Sequence, residues 1–509
     1  MMRFSAVPAC GFILAILFFF FSLLSCKKDT SSASSEKILV RIDDKTTISV
    51  NEFIRRAEYT PRPDYCKFNS YIHKKIILNS LIAEKLLALE AGENPPLMQN
   101  DEFKRFIKGR REQAMRQWMH HVEATEKVTL NDREIENDYL LAGREYNVAY
   151  FSVNDSSLAK KISNLITADT SLFEPVYQEL TNEPRVPVRK VTYDAKEHFL
   201  VHKALFSHPL QKGQIMGPIK IADDDFLFVK VKGWEDYLAI TEQQRQERIN
   251  KVRDKLTSIK SSEIWEQRVS DIMKGKKLEF NKDIFKRLSE LFFKIYFRTP
   301  EEKRDALTER IWNHDEKKTD STLTESLGED LLSESFFKVD DQPWTVDDFR
   351  KELISHPLVF RKMNMTPKEF PKQFRFAIAD MLRDHFVTEE AYKKGYDKVA
   401  VVQRNVNMWR DYYVGYNQKH RYLNSIGEKR NFAAHYHEIL NEKLNPYIDS
   451  LQAKYYKQVE VDFDALEEIS LTTIDMLVKQ PGQPFQYIVP MFPVVTSDNL
   501  LEYARKMRK

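Results

Sequence analysis

Apolar residues recur at helical spacing along most of the chain. A helix is predicted over residues 68–91 because these side chains share one face: Leu78, Leu81, Ile82, Leu86 and Leu89. Gly92 ends this helix, since glycine favours the C-cap and the prolines that follow cannot continue a helix. The same spacing predicts further helices over residues 101–123, from 129, from 241, over 401–423 and over 431–458.

Between residues 144 and 237 the period changes to the alternation that is typical of strands. Strands are predicted at residues 146–153, 186–193, 216–221 and 226–232, with a helical segment at 157–180. A turn at residues 222–225 joins the last two strands into a hairpin. The pattern predicts a mainly α, multi-domain chain into which a small α/β module, of the α+β kind, is inserted.

The chain also repeats one of its own segments. Residues 42–53 match residues 339–349: both have two aspartates after an apolar residue and a hydroxyl residue before a helix start. A long helix with an apolar face follows each copy, and residues 81–91 align with 381–391 without a gap. Chance agreement between two amphipathic helices is one explanation. Duplication of a helical lobe also accounts for the shared strand, turn and helix start.

The first residues resemble an export signal. Arg3 precedes an uninterrupted apolar run over residues 11–24, too short for a membrane span of ~20 residues but the length of a signal-peptide core. The run ends in Leu23-Leu24-Ser25-Cys26, which resembles the lipobox of bacterial lipoproteins, where a small residue precedes the acylated cysteine. This resemblance implies a signal peptide over residues 1–25, lipidation of Cys26 and a Ser-rich tether over residues 26–37.

The residue after the cysteine bears on location. The residue after Cys26 is Lys27 rather than an aspartate. In this respect the sequence resembles bacterial lipoproteins that are exported to the outer membrane. The predicted location is therefore the bacterial cell envelope, with the chain lipid-anchored to the outer membrane and facing the periplasm. The alternative is an ordinary cleaved signal with a chance cysteine.

Composition removes several classes of function. The 509 residues include 79 basic and 76 acidic side chains, a net charge of +3, so nucleic acid is not a predicted partner. Thirteen glycines disfavour a glycine-rich phosphate-binding fold. Three cysteines cannot form a disulfide framework. Cys66, the thiol left after processing and lipidation, lacks a protease signature and is interpreted as a small packing residue.

Two histidine pairs invite a metal interpretation: His120 with His121, and His435 with His437. Residues adjacent or two apart do not share a helix face, and no acidic or cysteine partner sits at ligand spacing. No metal, cofactor or catalytic residue is therefore predicted. The aromatic residues between 409 and 416 are interpreted as a core face, with a polypeptide-binding groove as the alternative.

The order of segments resembles the parvulin-type periplasmic foldases over roughly residues 38–285. The motif is Ala204-Leu205-Phe206, then Gly213-Gln214-Ile215-Met216-Gly217-Pro218-Ile219, then a closing strand over residues 226–231. Residues 76–94 and 129–139 resemble the helical chaperone domain of the same family. The resemblance implies a prolyl isomerase module carried by helical lobes that bind unfolded or newly exported polypeptides.

The module departs from the family pattern at its active site. Isomerases of this family usually carry histidines in the first and last strands, but residues 146–151 contain none and Leu227 stands at the second position. The serine–aspartate and double-glycine stretch is missing from residues 184–198. The module is therefore predicted to be degenerate, and whether it is an enzyme stays open.

The predicted function is a lipid-anchored envelope chaperone or foldase whose clients are unfolded or exported polypeptides. The alternatives are an active peptidyl-prolyl isomerase and a structural lipoprotein that scaffolds an outer-membrane complex. Five domains are predicted after the tether. They are a helical chaperone-like domain (38–143), the parvulin-like module (144–237), returning helices (238–290), a second helical lobe (291–425), and a C-terminal helix with an extended tail (426–509).

Overall fold

The computed structural model describes most of the chain. The described residues are 37–43, 46–222, 225–297, 329–362, 365–473 and 476–507. The predicted signal peptide, Cys26 and nearly all of the predicted tether lie outside these ranges. Residues 298–328 of the predicted second lobe also lie outside them.

Long helices alternate with short strands. In chain order the helices are α1 (Val50–Glu58), α2 (Tyr71–Glu90), α3 (Asp101–Glu123), α4 (Asp132–Leu141), α5 (Ser156–Ala168), α6 (Phe173–Thr181), α7 (Phe199–Phe206), α8 (Glu242–Met273), α9 (Lys282–Tyr296), α10 (Glu329–Leu332), α11 (Val346–Ser355), α12 (Phe370–Lys393), α13 (Ala400–Ser425), α14 (Phe432–Ile439), α15 (Asn445–Tyr455) and α16 (Phe463–Glu468). The strands are β1 (Ile38–Ile42), β2 (Thr46–Ser49), β3 (Arg144–Val153), β4 (Val188–Thr192), β5 (Ile215–Ala222), β6 (Asp225–Asp236), β7 (Leu278–Phe280), β8 (Ser335–Val339), β9 (Gln342–Thr345), β10 (Val459–Val461) and β11 (Arg505–Lys506). Within the described ranges the strands form three small sheets, which confirms a mainly α chain with α/β content.

Most predicted elements are confirmed, with shifted ends. Helix α3 has the predicted bounds, whereas the helical segment predicted over residues 157–180 is split into α5 and α6. Asp169 causes this break, since its backbone is extended and its carboxylate accepts from the amide of Ser171. The helix predicted over residues 431–458 is interrupted where His435 leaves the helical conformation.

The chain divides into two compact units. The insert unit comprises residues 120–271, and the helical unit comprises the described residues of 37–119 and 272–507. The insert unit therefore contains more than the predicted module over residues 144–237. It also includes α4 and most of α8, because Leu141 and Val252 are buried with the strands of the module.

The central part of α2 is buried on every side, whereas the sequence predicts a single apolar face. Every residue from Ile76 to Leu87 is buried, the polar Asn79 and Glu84 among them. The difference arises because α13 and α15 pack against α2 and the C-terminal segment crosses it. No side of this central part is left for water.

Each buried polar side chain of α2 has a partner in another part of the helical unit. Lys74 donates to the carbonyls of Glu467 and Ile469, Asn79 to that of Asp498 and Ser80 to that of Thr496, while Glu84 accepts from Arg56 and Lys85 contacts Asp411. These contacts offset the free-energy cost of removing the polar groups from water. If one partner is lost, the other group stays buried and its full desolvation cost destabilises the fold. Most of the partners lie more than 300 residues further along the chain.

The first lobe is completed by the end of the chain. Strand β10 pairs antiparallel with β1, Val461 lying opposite Val40, and β11 pairs parallel with β10. One hydrophobic core contains residues from β1, α2, α15 and the C-terminal segment, such as Leu501. Residues between 39 and 87 therefore share one core with residues between 448 and 501, and the domain boundaries at residues 143 and 425 stay predictions.

The C-terminal segment is extended and packs on the body, as the sequence predicts. Phe485 and Phe492 are buried, and the side chain of Gln113 bonds both the amide and the carbonyl of Phe485 at 3.0 Å. Arg110 donates to the carbonyl of Tyr487 at 2.9 Å, and its guanidinium lies 3.4 Å from the ring centroid of Trp409. Trp409 is itself buried, which confirms the core interpretation of that aromatic residue.

The second lobe shows the same local geometry as the first. Sheet β7-β8-β9 contains a hairpin, β8–β9, with a third strand antiparallel to β8, just as β10 flanks the hairpin β1–β2. In each lobe a hydroxyl caps the next helix: Ser49 accepts from the amide of Glu52 at 3.0 Å, and Thr345 from that of Asp348 at 3.1 Å.

Five charged residues form a buried network between α1, α2 and α13: Glu52, Arg56, Glu84, Lys85 and Asp411. Arg56 donates to both carboxylate oxygens of Glu84, at 2.8 and 2.7 Å, and each side chain is at most 2% exposed. The Lys85 ammonium lies 3.1 Å from Asp411 and 3.5 Å from Glu52. Burial opposes the charge on Arg56, but the Glu84 carboxylate outweighs it and raises the pKa of Arg56.

Removing one member of this network leaves a buried charge without its partner. We expect Arg56→Met to lower the free energy of unfolding by about 3–5 kcal/mol, measured by urea titration. The double variant Arg56→Met/Glu84→Leu removes both charges and is expected to recover most of that loss. Lys104→Met breaks an exposed pair with Asp101 and is expected to cost less than about 1 kcal/mol. An equal loss in Arg56→Met and Lys104→Met contradicts the prediction.

Candidate functional site

The sheet of the insert unit lies between two helical layers. Its strand order is β4-β3-β6-β5, and neighbouring strands are antiparallel. One face packs against α5 and α6 through residues such as Phe151 and Phe173. The other face packs against α7 through Leu205, Phe206 and Leu227. Alternation of side chains along each strand therefore produces two separate cores in this small unit.

Strand register identifies the residues that surround Leu227. Leu227 lies opposite Ser152 on β3 and opposite Ile219 on β5, and residues opposite each other point to one face of a sheet. In the next row Val229 lies opposite Tyr150 and Met216. We call Tyr150, Met216, Ile219 and Leu227 the apolar face of the sheet.

This apolar face occupies the place where the family resemblance implies catalytic histidines. Leu227 is 1% exposed, while Tyr150, Met216 and Ile219 are half-buried around it. The guanidinium of Arg189 lies 4.9 Å from the ring centroid of Tyr150, and an ion pair of 2.7 Å to Glu197 holds it there. The surface is suited to apolar contact rather than to proton transfer.

A buried histidine that the sequence analysis did not single out lies behind this sheet. His202 on α7 is 2% exposed, stacks edge-on against Tyr193 and lies 3.1 Å from the Tyr193 carbonyl oxygen. Burial lowers the pKa of His202 to about 3, so its imidazole is neutral in the folded unit. Its apolar neighbours on α7 are the signal that marks it as a core residue.

The hydroxyl of Tyr193 extends the same buried cluster to α4. It donates to the carboxylate of Asp138, and burial together with this bond raises the pKa of Tyr193. Burial also raises the pKa of Asp138. Because Asp138 lies on α4, this bond fixes α4 to the module, and the sequence gives no hint of a pair 55 residues apart.

Large apolar side chains are exposed at one edge of the insert unit. We call Leu140, Tyr237, Leu238 and Ile240 the apolar rim; Leu140, Leu238 and Ile240 are each more than 70% exposed. The amide of Tyr237 donates to the carbonyl of Gly143 at 2.8 Å, which brings the segments of the rim together. Exposed apolar clusters of this kind mark surfaces that bind other molecules.

A polar cleft of about 300 Å³ adjoins the apolar rim. Its cations have partners within the unit: Arg144 pairs with Asp236 at 2.7 Å and Lys251 with Asp194 at 2.9 Å. Arg248, the third cation of the lining, donates to the carbonyl of Tyr237, and three acidic residues match the three cations: Glu145, Asp194 and Glu247. The cleft therefore carries no unbalanced positive charge that would select an anion, and the rim is the candidate binding surface of this unit.

The histidines and the cysteine considered in the sequence analysis contact other side chains of the fold. His120 stacks on Trp265, and His435 lies 3.0 Å from Glu438. In the part of the chain that the structure describes, no three His, Cys, Asp or Glu residues cluster in a way that holds a metal. Cys66 is fully buried, and burial raises the pKa of its thiol to about 12, which confirms its interpretation as a packing residue.

Comparison of the chain with protein-family models, with curated proteins and with solved structures finds no match. Across the described ranges, no helix combines the length and the apolar character that a bilayer crossing requires.

The buried state of His202 predicts a pH dependence of stability. The folded pKa lies below the unfolded value of about 6.5, so the unfolded chain binds more protons and stability is lost as pH falls from 6.5 toward 3. We expect wild type to lose about 2 kcal/mol more than His202→Gln between pH 6.5 and 5, measured by urea unfolding. His208→Phe, which changes an exposed side chain, serves as the control and is expected to follow wild type. Parallel profiles for wild type and His202→Gln contradict the prediction.

Proposed function

We propose that this protein is a lipid-anchored chaperone or foldase of the bacterial cell envelope, and that it binds unfolded or exported polypeptides. The observation that carries the proposal is the insert unit, in which a parvulin-like order of elements surrounds an apolar face and carries an exposed apolar rim. Polypeptide clients are held by scattered apolar contacts that repack from one client to the next. A single sharp pocket is not needed for that task.

The order of elements in the insert unit supports the parvulin-like part of the proposal. Helix α7 precedes the glycine-rich motif, Gly217-Pro218-Ile219 lies on β5, and β6 closes the sheet beside β3. Gly217 has a φ of +135°, and a Cβ at this position would lie 2.8 Å from the carbonyl oxygen of Leu227. Only glycine fits there, so this part of the motif has a physical reason in this chain.

The residues of the apolar face favour binding over catalysis. Prolyl isomerisation must lower a barrier of ~20 kcal/mol by desolvating and twisting the amide in a shaped pocket. Tyr150, Met216 and Ile219, half-buried around Leu227, supply apolar surface for an X–Pro segment, but the nearby Arg189 is held by Glu197. In this proposal the module is a degenerate parvulin domain that acts as a clamp for the client.

The helical unit supports a second part of the proposal, namely that its two lobes arose by duplication. The shared features are a hairpin, a third antiparallel strand, a hydroxyl N-cap and a long helix that follows. The lobes would enlarge the surface available to a client. The anchor in this proposal is acylated Cys26, which lies outside the described residues.

Suppression of aggregation tests the binding function. We expect the wild-type protein to slow the aggregation of unrelated unfolded proteins, and Leu140→Ser/Leu238→Ser in the apolar rim to require at least twice the concentration for the same effect. Leu165→Ser/Leu180→Ser changes two exposed leucines elsewhere in the same unit and is the matched control. Aggregation unaffected by wild type overturns the chaperone proposal. Capture of one stoichiometric partner in its place would favour the scaffold alternative.

An isomerisation assay separates a binder from an enzyme. With a proline-containing tetrapeptide we expect the wild-type protein to accelerate cis–trans exchange less than twofold over the uncatalysed rate, because Leu227 stands at the position where the family pattern has a histidine. A known prolyl isomerase in the same assay provides the positive control. Catalysis well above background by the wild-type protein would show that the module is an active isomerase.

A further inference from the structure

Three large apolar side chains are exposed where α2 begins. Phe68, Tyr71 and Ile72 are 59%, 43% and 55% exposed, and we call them the tip patch. Phe68 is held in place because its amide donates to His73 Nδ1 at 2.9 Å and its ring packs against the same imidazole. Ser70 caps α2 by accepting from the amide of His73. The tip patch is therefore an ordered apolar surface on the helical unit.

The tip patch lies close to the point where the described chain begins. Lys37, the first described residue, has its ammonium 3.3 Å from Glu468. Two residues further on, Ser470 accepts from the side chain of Asn69 at 3.3 Å, and the amide of Leu471 donates to Asn69 at 2.9 Å. Segment 468–471 thus connects the start of the described chain to the tip patch.

Chain length limits how far this surface can lie from the proposed anchor. Lys37 is eleven residues after Cys26, and a fully extended chain advances at most about 3.6 Å per residue, a reach of about 40 Å. Acyl chains on Cys26 would therefore hold the start of the described chain within about 40 Å of a bilayer. That proximity raises the effective concentration of lipid at any surface near Lys37.

Cations near the tip patch have partners within the helical unit. The buried ammonium of Lys74, 6.0 Å from the ring centroid of Tyr71, donates to the carbonyls of Glu467 and Ile469. Lys67 lies 3.8 Å from Asp64, Lys75 pairs with Glu502 at 2.9 Å, and Lys37 pairs with Glu468. A surface of this composition has no excess of cations to attract anionic headgroups. Its aromatic and aliphatic side chains instead match the interface between headgroups and acyl chains, where tyrosine in particular is enriched.

We propose that the tip patch of Phe68, Tyr71 and Ile72 inserts into the interfacial region of the membrane that holds acylated Cys26. The inference rests on the lipid anchor of the proposed function. Three side chains alone give marginal binding, and the anchor supplies the second contact that makes it persistent. The patch then fixes which side of the helical unit faces the lipid.

A depth-sensitive probe tests this orientation. The acylated full-length variant Ile72→Cys is labelled with an environment-sensitive fluorophore and placed in phosphatidylcholine vesicles with or without brominated acyl chains. Cys66 is buried and Cys26 is blocked, so the introduced thiol is the one that reacts. We expect bromine to reduce the fluorescence at least twofold. The matched variant Val401→Cys, whose side chain is 44% exposed at the start of α13 in the same helical unit, is expected to lose less than a tenth.

Each result decides the proposal. An unquenched probe at position 72, or quenching at position 401 equal to that at 72, overturns it. Because the cations near the tip patch have partners, vesicles with one third phosphatidylglycerol are expected to give the same quenching. Quenching that is seen only with this anionic lipid and is abolished by salt also overturns the proposal.

Two further measurements separate this proposal from the function it rests on. Mass spectrometry of the native N-terminus reports whether Cys26 is acylated. If it is unmodified, the anchor and the docking proposal fail together, whereas an acylated protein with an unquenched probe loses the docking proposal alone. Suppression of aggregation by Ile72→Cys is expected to equal that of wild type, since the tip patch and the apolar rim share no residues.

Discussion

A helical segment that is buried on all sides must have every polar group on it satisfied, and the central part of α2 is such a segment. The helix carries Lys74, Asn79, Ser80, Glu84 and Lys85 into the interior, where an unpaired amide or hydroxyl costs about 1–3 kcal/mol and an unpaired charge more. The structure meets this requirement with partners drawn from α1, α13 and the last fifty residues. This requirement constrains the packing of the helical unit, because each of those segments must place a hydrogen-bonding or charged group next to its partner on α2.

This requirement also explains which parts of the fold the sequence predicts. Local signals suffice for α3, for the strands of the insert unit and for the two capped helix starts, since these depend on spacing and on residues three positions apart. The environment of α2 is not predictable in this way. Glu84 and Lys85 have the composition of a solvated face, and only the distant partners Arg56 and Asp411 show that they are internal.

The features of the candidate site likewise divide into those that the local sequence predicts and those that depend on distant contacts. Absence of histidine from the strands and the place of Leu227 are visible in the sequence. The pairing of Tyr193 with Asp138, the burial of His202 and the assembly of the apolar rim depend on contacts across the insert unit. The motif alone therefore predicts a degenerate module, whereas the candidate binding surface appears only when segments 140–143 and 237–240 are brought together.

The pairing of β10 with β1 has a consequence for the order in which the chain acquires its structure. A polypeptide is synthesised and exported from its N-terminus, so Val40 leaves the ribosome more than 400 residues before Val461, its partner in the sheet. The insert unit makes its contacts within residues 120–271 and can fold as soon as it emerges. The core that contains β1 and α2 instead needs side chains from residues 448–501 and cannot be complete until those residues have been made. Residues made early therefore gain their full set of contacts only after a segment made some 400 residues later.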